Sequence, residues 1–431
     1  MDKTRPIVIL GGGFAGAYCA RSLEKTLGRL NTDICVIDRN NYFIFYPFLI
    51  EAGTGSIEPR HAVIPLRSFL KTANFLRAEI TGIDTNRQSV SYRGAGSDRD
   101  QIMEYEQLAI ALGSITRMPA IPGLHEWGLQ IKTLTDAIAL RDRTIHLLEL
   151  ADVASSLEER RALLHVVIVG GNFTGVELAG ELQYILRQAT RLYKHIAPDD
   201  CRVTLIEIAD RILPSLDPDL ADYARQRLEG LGVDIKLKSS VNAVSPDGVE
   251  TDAGRRIFSH TVIWAAGVGP NPLVSKLHLP VNPLGYILCD RDLRVQGFEN
   301  VWAIGDCAIN LGPDGKPYPA MAQHALREGE ALARNIADVL QGRTPKPCDI
   351  RTRGAIATLG GRKAVAKIFS RKLRGFPAWF IRQMYYLLRI PGWSRKIRIA
   401  LDWALNLVFS RDIVQLGIRS VPPDSSIRKI A

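Results

Sequence analysis

One local design occurs twice in this chain and limits what it can fold into. Ile7-Val8-Ile9-Leu10-Gly11-Gly12-Gly13-Phe14-Ala15-Gly16 reads as a buried apolar strand running straight into a Gly-x-Gly-x-x-Gly turn, with a helical pattern over Ala17 to Leu27 behind it. That order is the βα turn of a dinucleotide-binding fold. Gly11 permits the tight turn, Gly13 lets the backbone approach a pyrophosphate, and Gly16 lets helix and strand pack closely, with the helix N-terminus facing the phosphate charge. Ile34-Cys35-Val36-Ile37-Asp38 follows as a second strand ending in an acid, at the spacing of a ribose-binding carboxylate.

About 160 residues later, Val166-Val167-Ile168-Val169-Gly170-Gly171-Asn172-Phe173-Thr174-Gly175-Val176-Glu177 repeats the strand, glycine turn and helix. Val203-Thr204-Leu205-Ile206-Glu207 supplies the matching second strand and acid. Glu207 would hydrogen-bond ribose hydroxyls and repel a 2′-phosphate, which favours NADH over NADPH. Asn172 stands where the middle glycine is usual, so its side chain must point away from the pyrophosphate or hydrogen-bond to it. Thr261 to Gly267 closes this second domain, and Val301-Trp302-Ala303-Ile304-Gly305-Asp306 is a third strand-plus-acid unit suited to a sugar-alcohol hydroxyl. Pro319 to Ala325 opens a helix to about Leu340, whose start is a source of positive potential useful against a reduced, anionic flavin. His324 within it reads as structural.

A chain of 431 residues is too long for one core. The expected architecture is α/β, with two Rossmann-like domains of glutathione-reductase-like type and a C-terminal amphipathic-helix region. The expected boundaries are 1–115 with 285–345 for the FAD-binding domain, 116–284 for the NADH-binding domain, and 346–431 for the C-terminal region. The aromatic stretch Arg39 to Leu49, expected as a loop, either packs in the core or lines a site for a flat apolar molecule. Six scattered cysteines with no closely spaced pair argue against a redox dithiol or a zinc site, and no metal is expected. The strand at Ile7 leaves no room for a targeting segment with its own apolar region, so the catalytic body is expected to stay in the cytoplasm.

Net charge is +10, and its location matters more than its size. Residues 362–431 hold fifteen Lys/Arg against three acids, or +12, so the first 361 residues sum to −2. A basic region on a near-neutral body suggests an anionic surface as partner. Two apolar helices are expected there, over Trp379 to Ile390 and Ile397 to Phe409, separated by Pro391-Gly392 and edged with arginine and with Trp379, Trp393 and Trp403. Each is too short to span a bilayer, and the pattern is that of an interfacial anchor or of a homodimer face, with nucleic acid not expected.

With these motifs in this order, the sequence resembles the type II (non-proton-pumping) NADH:quinone oxidoreductases. The parts that carry the resemblance are Gly11 to Gly16, Tyr46-Pro47-Phe48-Leu49 with Glu58-Pro59-Arg60, Gly170 to Glu177, Ala303 to Asp306, Ala322-Gln323-His324-Ala325, and Arg411-Asp412-Ile413-Val414-Gln415. The resemblance implies that Gly11, Gly13, Gly16, Asp38, Gly305 and Asp306 hold FAD, and that Gly170, Gly175, Glu207 and Gly267 hold NADH. It implies Glu177 near the nicotinamide, and Ala322-Gln323 against the isoalloxazine at the quinone site. Glu177 and Gln323 are thus the expected catalytic residues. Lys363 is a further candidate near the flavin. Many members continue the Ala-Gln motif with two glutamines, where this chain has Arg327 and Glu328. The implied reaction passes a hydride from NADH to FAD and two electrons to a membrane quinone, at the cytoplasmic face of the cell membrane. A sulfide:quinone oxidoreductase would need redox cysteines near the flavin, and a non-respiratory NADH-sensing flavoprotein with a basic tail is the alternative of a different class.

Overall fold

The computed structural model describes residues 5–28, 32–352, 354–409, 411–415 and 417. Arg419, Asp424, Arg428 and Lys429 of the basic region lie outside the described residues. Seven α-helices of fourteen or more residues are present among them: α1 (Phe14–Leu27), α2 (Leu134–Asp152), α3 (Phe173–Ala189), α4 (Pro218–Leu231), α5 (Ala322–Leu340), α6 (Gly375–Arg389) and α7 (Trp393–Val408). The chain divides into two compact units. One is Met1–Phe45, Val63–Ile115 and Val268–Thr352; the other is Tyr46–Ala62, Thr116–Gly267 and Arg353–Ala431.

The first unit is built on a seven-stranded sheet ordered Val301–Ala303, Gln107–Ile110, Ile7–Leu10, Ile34–Asp38, Asn74–Asp84, Ser89–Gly94, Asp100–Glu104. The first five strands are parallel and the last two run antiparallel. The parallel strands at its centre are covered on both faces, which is why Ile7 to Leu10 and Gln107 to Ile110 are buried at every position. Helix α1 lies close to α5: a Cβ added at Gly329 would sit 2.3 Å from the Ala15 carbonyl oxygen. Within the aromatic stretch, Tyr42–Ile44 is a strand rather than loop, paired antiparallel with Val63–Pro65. Phe43 and Phe45 are core residues, each with its ring centroid 5.6 Å from that of Phe14, so this part of the stretch takes the first of its two expected roles.

The second unit centres on a five-stranded parallel sheet ordered Gly128–Leu129, Thr261–Trp264, His165–Val169, Arg202–Ile206, Val233–Lys236. Helix α2 starts at a reciprocal cap, in which Asp136 N donates to Thr133 Oγ1 at 3.1 Å and Thr133 N donates to Asp136 Oδ2 at 2.8 Å. A three-stranded antiparallel sheet, Gly354–Thr358, Ala364–Ile368 and Arg371–Arg374, leads into α6, and Lys363 closes its first hairpin turn.

Four helix starts differ from expectation, the first being α1, which begins at Phe14 rather than at Ala17. Helix α5 starts at Ala322 rather than at Pro319, and α6 begins four residues before Trp379, at Gly375. Helix α7 begins at Trp393, because Gly392, at φ +90°, turns the chain directly into it; the polar first turn Ser394-Arg395-Lys396 masks the apolar period. No helix among the described residues is long and apolar enough to cross a membrane.

Candidate functional site

In the first unit, the turn after Ile7–Leu10 has the geometry that a nucleotide phosphate requires. Gly11 sits at φ +100°, and a Cβ there would meet the Ala111 carbonyl oxygen at 2.3 Å. A Cβ on Gly16 would fall 1.9 Å from the Gly11 carbonyl oxygen, so only glycine lets α1 approach the strand. At Gly13 the added Cβ would meet nothing within 4 Å, and no side chain caps α1 there. The open ground at an uncapped helix start fits a phosphate group.

Asp38 is fixed beside this turn. Its Oδ2 accepts from Gly12 N at 2.7 Å and its Oδ1 from Asn40 N at 2.7 Å. Burial raises its carboxyl pKa, against the lowering effect of those two N–H groups and of Arg39. A carboxylate has about four acceptor positions, so capacity remains for ribose hydroxyls.

The second unit repeats the geometry. Gly170 takes φ +115°, and a Cβ on Gly175 would lie 1.8 Å from the Gly170 carbonyl oxygen. Glu207 accepts from Gly171 N through Oε2 and from Ala209 N through Oε1 at 2.8 Å, as Asp38 does in the first unit. Asn172 turns its side chain into the loop: it is the N-cap of α3, with Oδ1 accepting from Gly175 N at 3.1 Å and Nδ2 donating to Ala265 O at 2.7 Å. Gly267, at φ +75°, accepts from Arg117 N at 3.3 Å.

Around Gly305–Cys307 the first unit forms a further polar turn. Asp306 Oδ2 accepts from Ser114 Oγ at 2.9 Å. Glu328, on α5, turns inward: its Oε2 accepts from Gly305 N at 2.6 Å and from Asn310 Nδ2 at 3.0 Å. Burial pushes its carboxyl up to about 7, with Asp306 contributing in the same direction. Ala322 and Gln323 stand half-buried at the start of α5. His324 is buried, bonded through Nε2 to Thr352 Oγ1 at 3.0 Å and stacked on Tyr318. Arg327 Nη1 donates to Arg351 O at 2.5 Å.

Glu177 lies in the first two turns of α3, within a cluster that the sequence did not signal. Its side chain is 13% exposed; its Oε1 accepts from Thr358 N at 3.0 Å and is 3.6 Å from Arg382 Nη2. Arg382 Nη1 donates to Glu51 Oε1 at 2.6 Å, and Nη2 to Pro47 O at 2.7 Å. Trp403 Nε1 donates to the other Glu51 oxygen at 3.0 Å. Burial raises the Glu177 pKa, opposed by Arg382 and by Thr358 N. Burial works against the Arg382 charge as well, but Glu177 and Glu51 outweigh it and hold the guanidinium above its ordinary value.

The excess of base near the C-terminus is therefore smaller in effect than its count. Lys367 and Lys372 pair with Asp217, Lys372 and Arg374 with Asp219, Arg382 with Glu51, and Arg411 with Glu181. The six cysteines are all buried and unpaired, and burial pushes every thiol up.

The chain matches the pyridine nucleotide-disulphide oxidoreductase family over residues 5–329. It is 31% identical over 418 residues to a Dictyostelium discoideum protein described as a probable NADH dehydrogenase, covering 95% of this chain and 91% of that one. It is 29% identical over 388 residues to a type II NADH:quinone oxidoreductase of Staphylococcus aureus, covering 88% of this chain and 94% of that one. In fold it is similar to the structure of NDH2 from Plasmodium falciparum in complex with NADH, with a TM-score of 0.88 at 20% identity, over 96% of this chain and 100% of that one. The chain belongs to the type II NADH:quinone oxidoreductases, within the pyridine nucleotide-disulphide oxidoreductase family.

Proposed function

We propose that the chain oxidises NADH through bound FAD and reduces a membrane quinone without pumping protons. The observation that carries this reading is the pair of like turns, each setting an acid beside the start of a helix, at Gly11 to Gly16 with Asp38 and at Gly170 to Gly175 with Glu207. Gly11, Gly13, Gly16 and Asp38 would take the adenosine side of FAD, and Gly305 and Asp306 its sugar-alcohol chain. Gly170, Gly175, Glu207 and Gly267 would take NADH. Glu207 is held in place by two backbone N–H groups, and its fixed charge disfavours a 2′-phosphate.

FAD, when bound, supplies the two-electron chemistry that links a hydride donor to a quinone. The chain's residues bind, orient and exclude water. Glu177 would lie toward the nicotinamide. Gln323 offers an amide that both donates and accepts at the quinone side, with Ala322 leaving room for the ring. The FAD role is assigned to 1–115 with 285–345, the NADH role to 116–284, and attachment to 346–431.

The terminal helices would rest on the cytoplasmic face of the cell membrane. Arg382 and Gln383 of α6 are buried, and Asp402 and Asn406 of α7 bond inward, to His61 and to Ser56 O. Their exposed side chains include the apolar Phe380, Leu388, Trp393, Ile397, Leu401 and Leu405 beside the polar Arg389, Ser394 and Arg398. Large apolar side chains left in water along two short helices suit the interface of a bilayer.

Anaerobic spectrophotometry of the purified protein tests the reaction. NADH should bleach the flavin, and a soluble quinone should restore its colour. No bleaching would remove the NADH assignment, while bleaching that quinone fails to reverse would remove the assignment at Gln323.

A further inference from the structure

Within the second unit, α2, α3 and the C-terminal end of α7 enclose a cavity of about 420 Å³. That volume is in the range of roughly 300–1,000 Å³ found for small-ligand sites. Its charge is unusual. Four arginines line it: Arg141, Arg191, Arg362 and Arg411. Of the lining acids, Glu51 is paired with Arg382 and Glu181 with Arg411. Three guanidiniums therefore face a single further carboxylate, that of Asp412. Arg141 donates to the Asp412 carbonyl oxygen at 3.2 Å and Arg362 to the Asn406 carbonyl oxygen at 3.1 Å, and neither they nor Arg191 pairs with a carboxylate among the described residues. The rim is the opposite in character. Leu407, Val408 and Phe409 line the same cavity, and all three are exposed, Val408 by 78% and Phe409 by 66%.

Guanidiniums present forked donors that match a phosphate, and they outnumber the acids here. A free anion would leave the aliphatic rim in water, whereas an amphiphile satisfies both parts. We propose that this cavity binds the phosphate head group of an anionic phospholipid, with the acyl chains lying along the C-terminal end of α7. The proposal rests on the reading that α6 and α7 meet a bilayer. It adds a discrete site whose occupant is a lipid, distinct from a general attraction of basic residues to a charged surface.

The test is flotation of the full-length holoenzyme with vesicles of phosphatidylcholine alone and with vesicles doped with phosphatidylglycerol. The wild type should bind the doped vesicles at least tenfold more tightly. Arg191→Gln with Arg362→Gln should abolish most of that gain and leave binding to phosphatidylcholine unchanged. Arg395→Gln with Arg398→Gln removes equal charge from α7 residues that do not line the cavity, and should keep most of the gain. Equal losses in the two double variants, or no gain in the wild type, would overturn the site while leaving membrane attachment standing. Failure to float with either vesicle would overturn the attachment reading beneath it.

A soluble probe reads the site without a bilayer. Dihexanoyl phosphatidylglycerol, kept below its micelle concentration, should give a saturable change in the fluorescence of Trp379 and Trp403, which line the cavity. The Arg191/Arg362 variant should lose that change. A matching response to inorganic phosphate alone would make the occupant a free anion and overturn the lipid assignment.

Discussion

Arg382 and Glu51, 331 residues apart in the chain, are joined by a 2.6 Å hydrogen bond between two buried side chains, with Glu177 3.6 Å from the same guanidinium. Removing the arginine leaves two covered carboxylates without their cation. Arg382→Met should lower stability by about 3–5 kcal/mol, the cost typical of breaking a buried pair from one side. Arg382→Lys should recover only part of this, because one ammonium cannot replace the fork that reaches both Glu51 and Pro47 O. Urea unfolding of the three proteins at one pH checks the order.

Glu328 sets a pH dependence. Its carboxyl is raised from an ordinary 4.5 to about 7, so between those values the folded chain holds a proton that the unfolded chain has released. Stability from this group is therefore fully present below pH 4.5 and declines as pH rises toward 7, by about 3 kcal/mol in all. Glu328→Gln keeps an oxygen for Gly305 N and cannot ionise. Its stability profile from pH 5 to 8 should lie flatter than that of the wild type by about that amount, as read from urea midpoints.

Asn172 serves as both cap and tie. Asn172→Ala removes the acceptor for Gly175 N and the donor to Ala265 O, at a cost of about 1–2 kcal/mol. Asn172→Gly should cost only a few tenths of a kcal/mol beyond the loss of that tie. Flavin content, read from the visible absorbance, should not change in either variant if the turn at Asn172 takes NADH as proposed.

Glu207→Gln tests the choice of nucleotide. The amide oxygen can still accept from one backbone N–H, but the charge proposed to repel a 2′-phosphate is gone. The ratio of kcat/KM for NADPH to that for NADH should rise about tenfold, or ~1.4 kcal/mol. An unchanged ratio would take the discrimination away from this side chain.

The two nucleotide turns were legible in the sequence because their glycines answer to the backbone itself. A Cβ at Gly16 or Gly175 collides with the chain's own carbonyl whatever surrounds it, so residue type and spacing carry the geometry. The charge clusters were not legible, since a sequence records a charge but not the side to which it points. Arg382 counted among the basic residues of the terminal region, yet it is 2% exposed. Glu328 read as a lost glutamine at the quinone end of the motif, whereas its carboxylate braces Gly305. Asn172 fell between these cases: its two possible directions could be stated in advance, and the carbonyl of Ala265, 93 residues away, decided between them.

Helices α6 and α7 turn Arg382, Gln383, Asp402 and Asn406 inward and leave Phe380, Leu401 and Leu405 outside, beside the exposed Arg389 and Arg398. A layer held against the apolar part of such a surface answers to solvents more than to ions. Salt screens exposed charges beyond about 8 Å at physiological strength, yet kosmotropic salts strengthen apolar contact. If a bilayer covers that face, a high-salt wash should remove only the added affinity for anionic lipid, and a mild detergent should release the protein. Without a detergent, concentrating the protein would press these faces against one another.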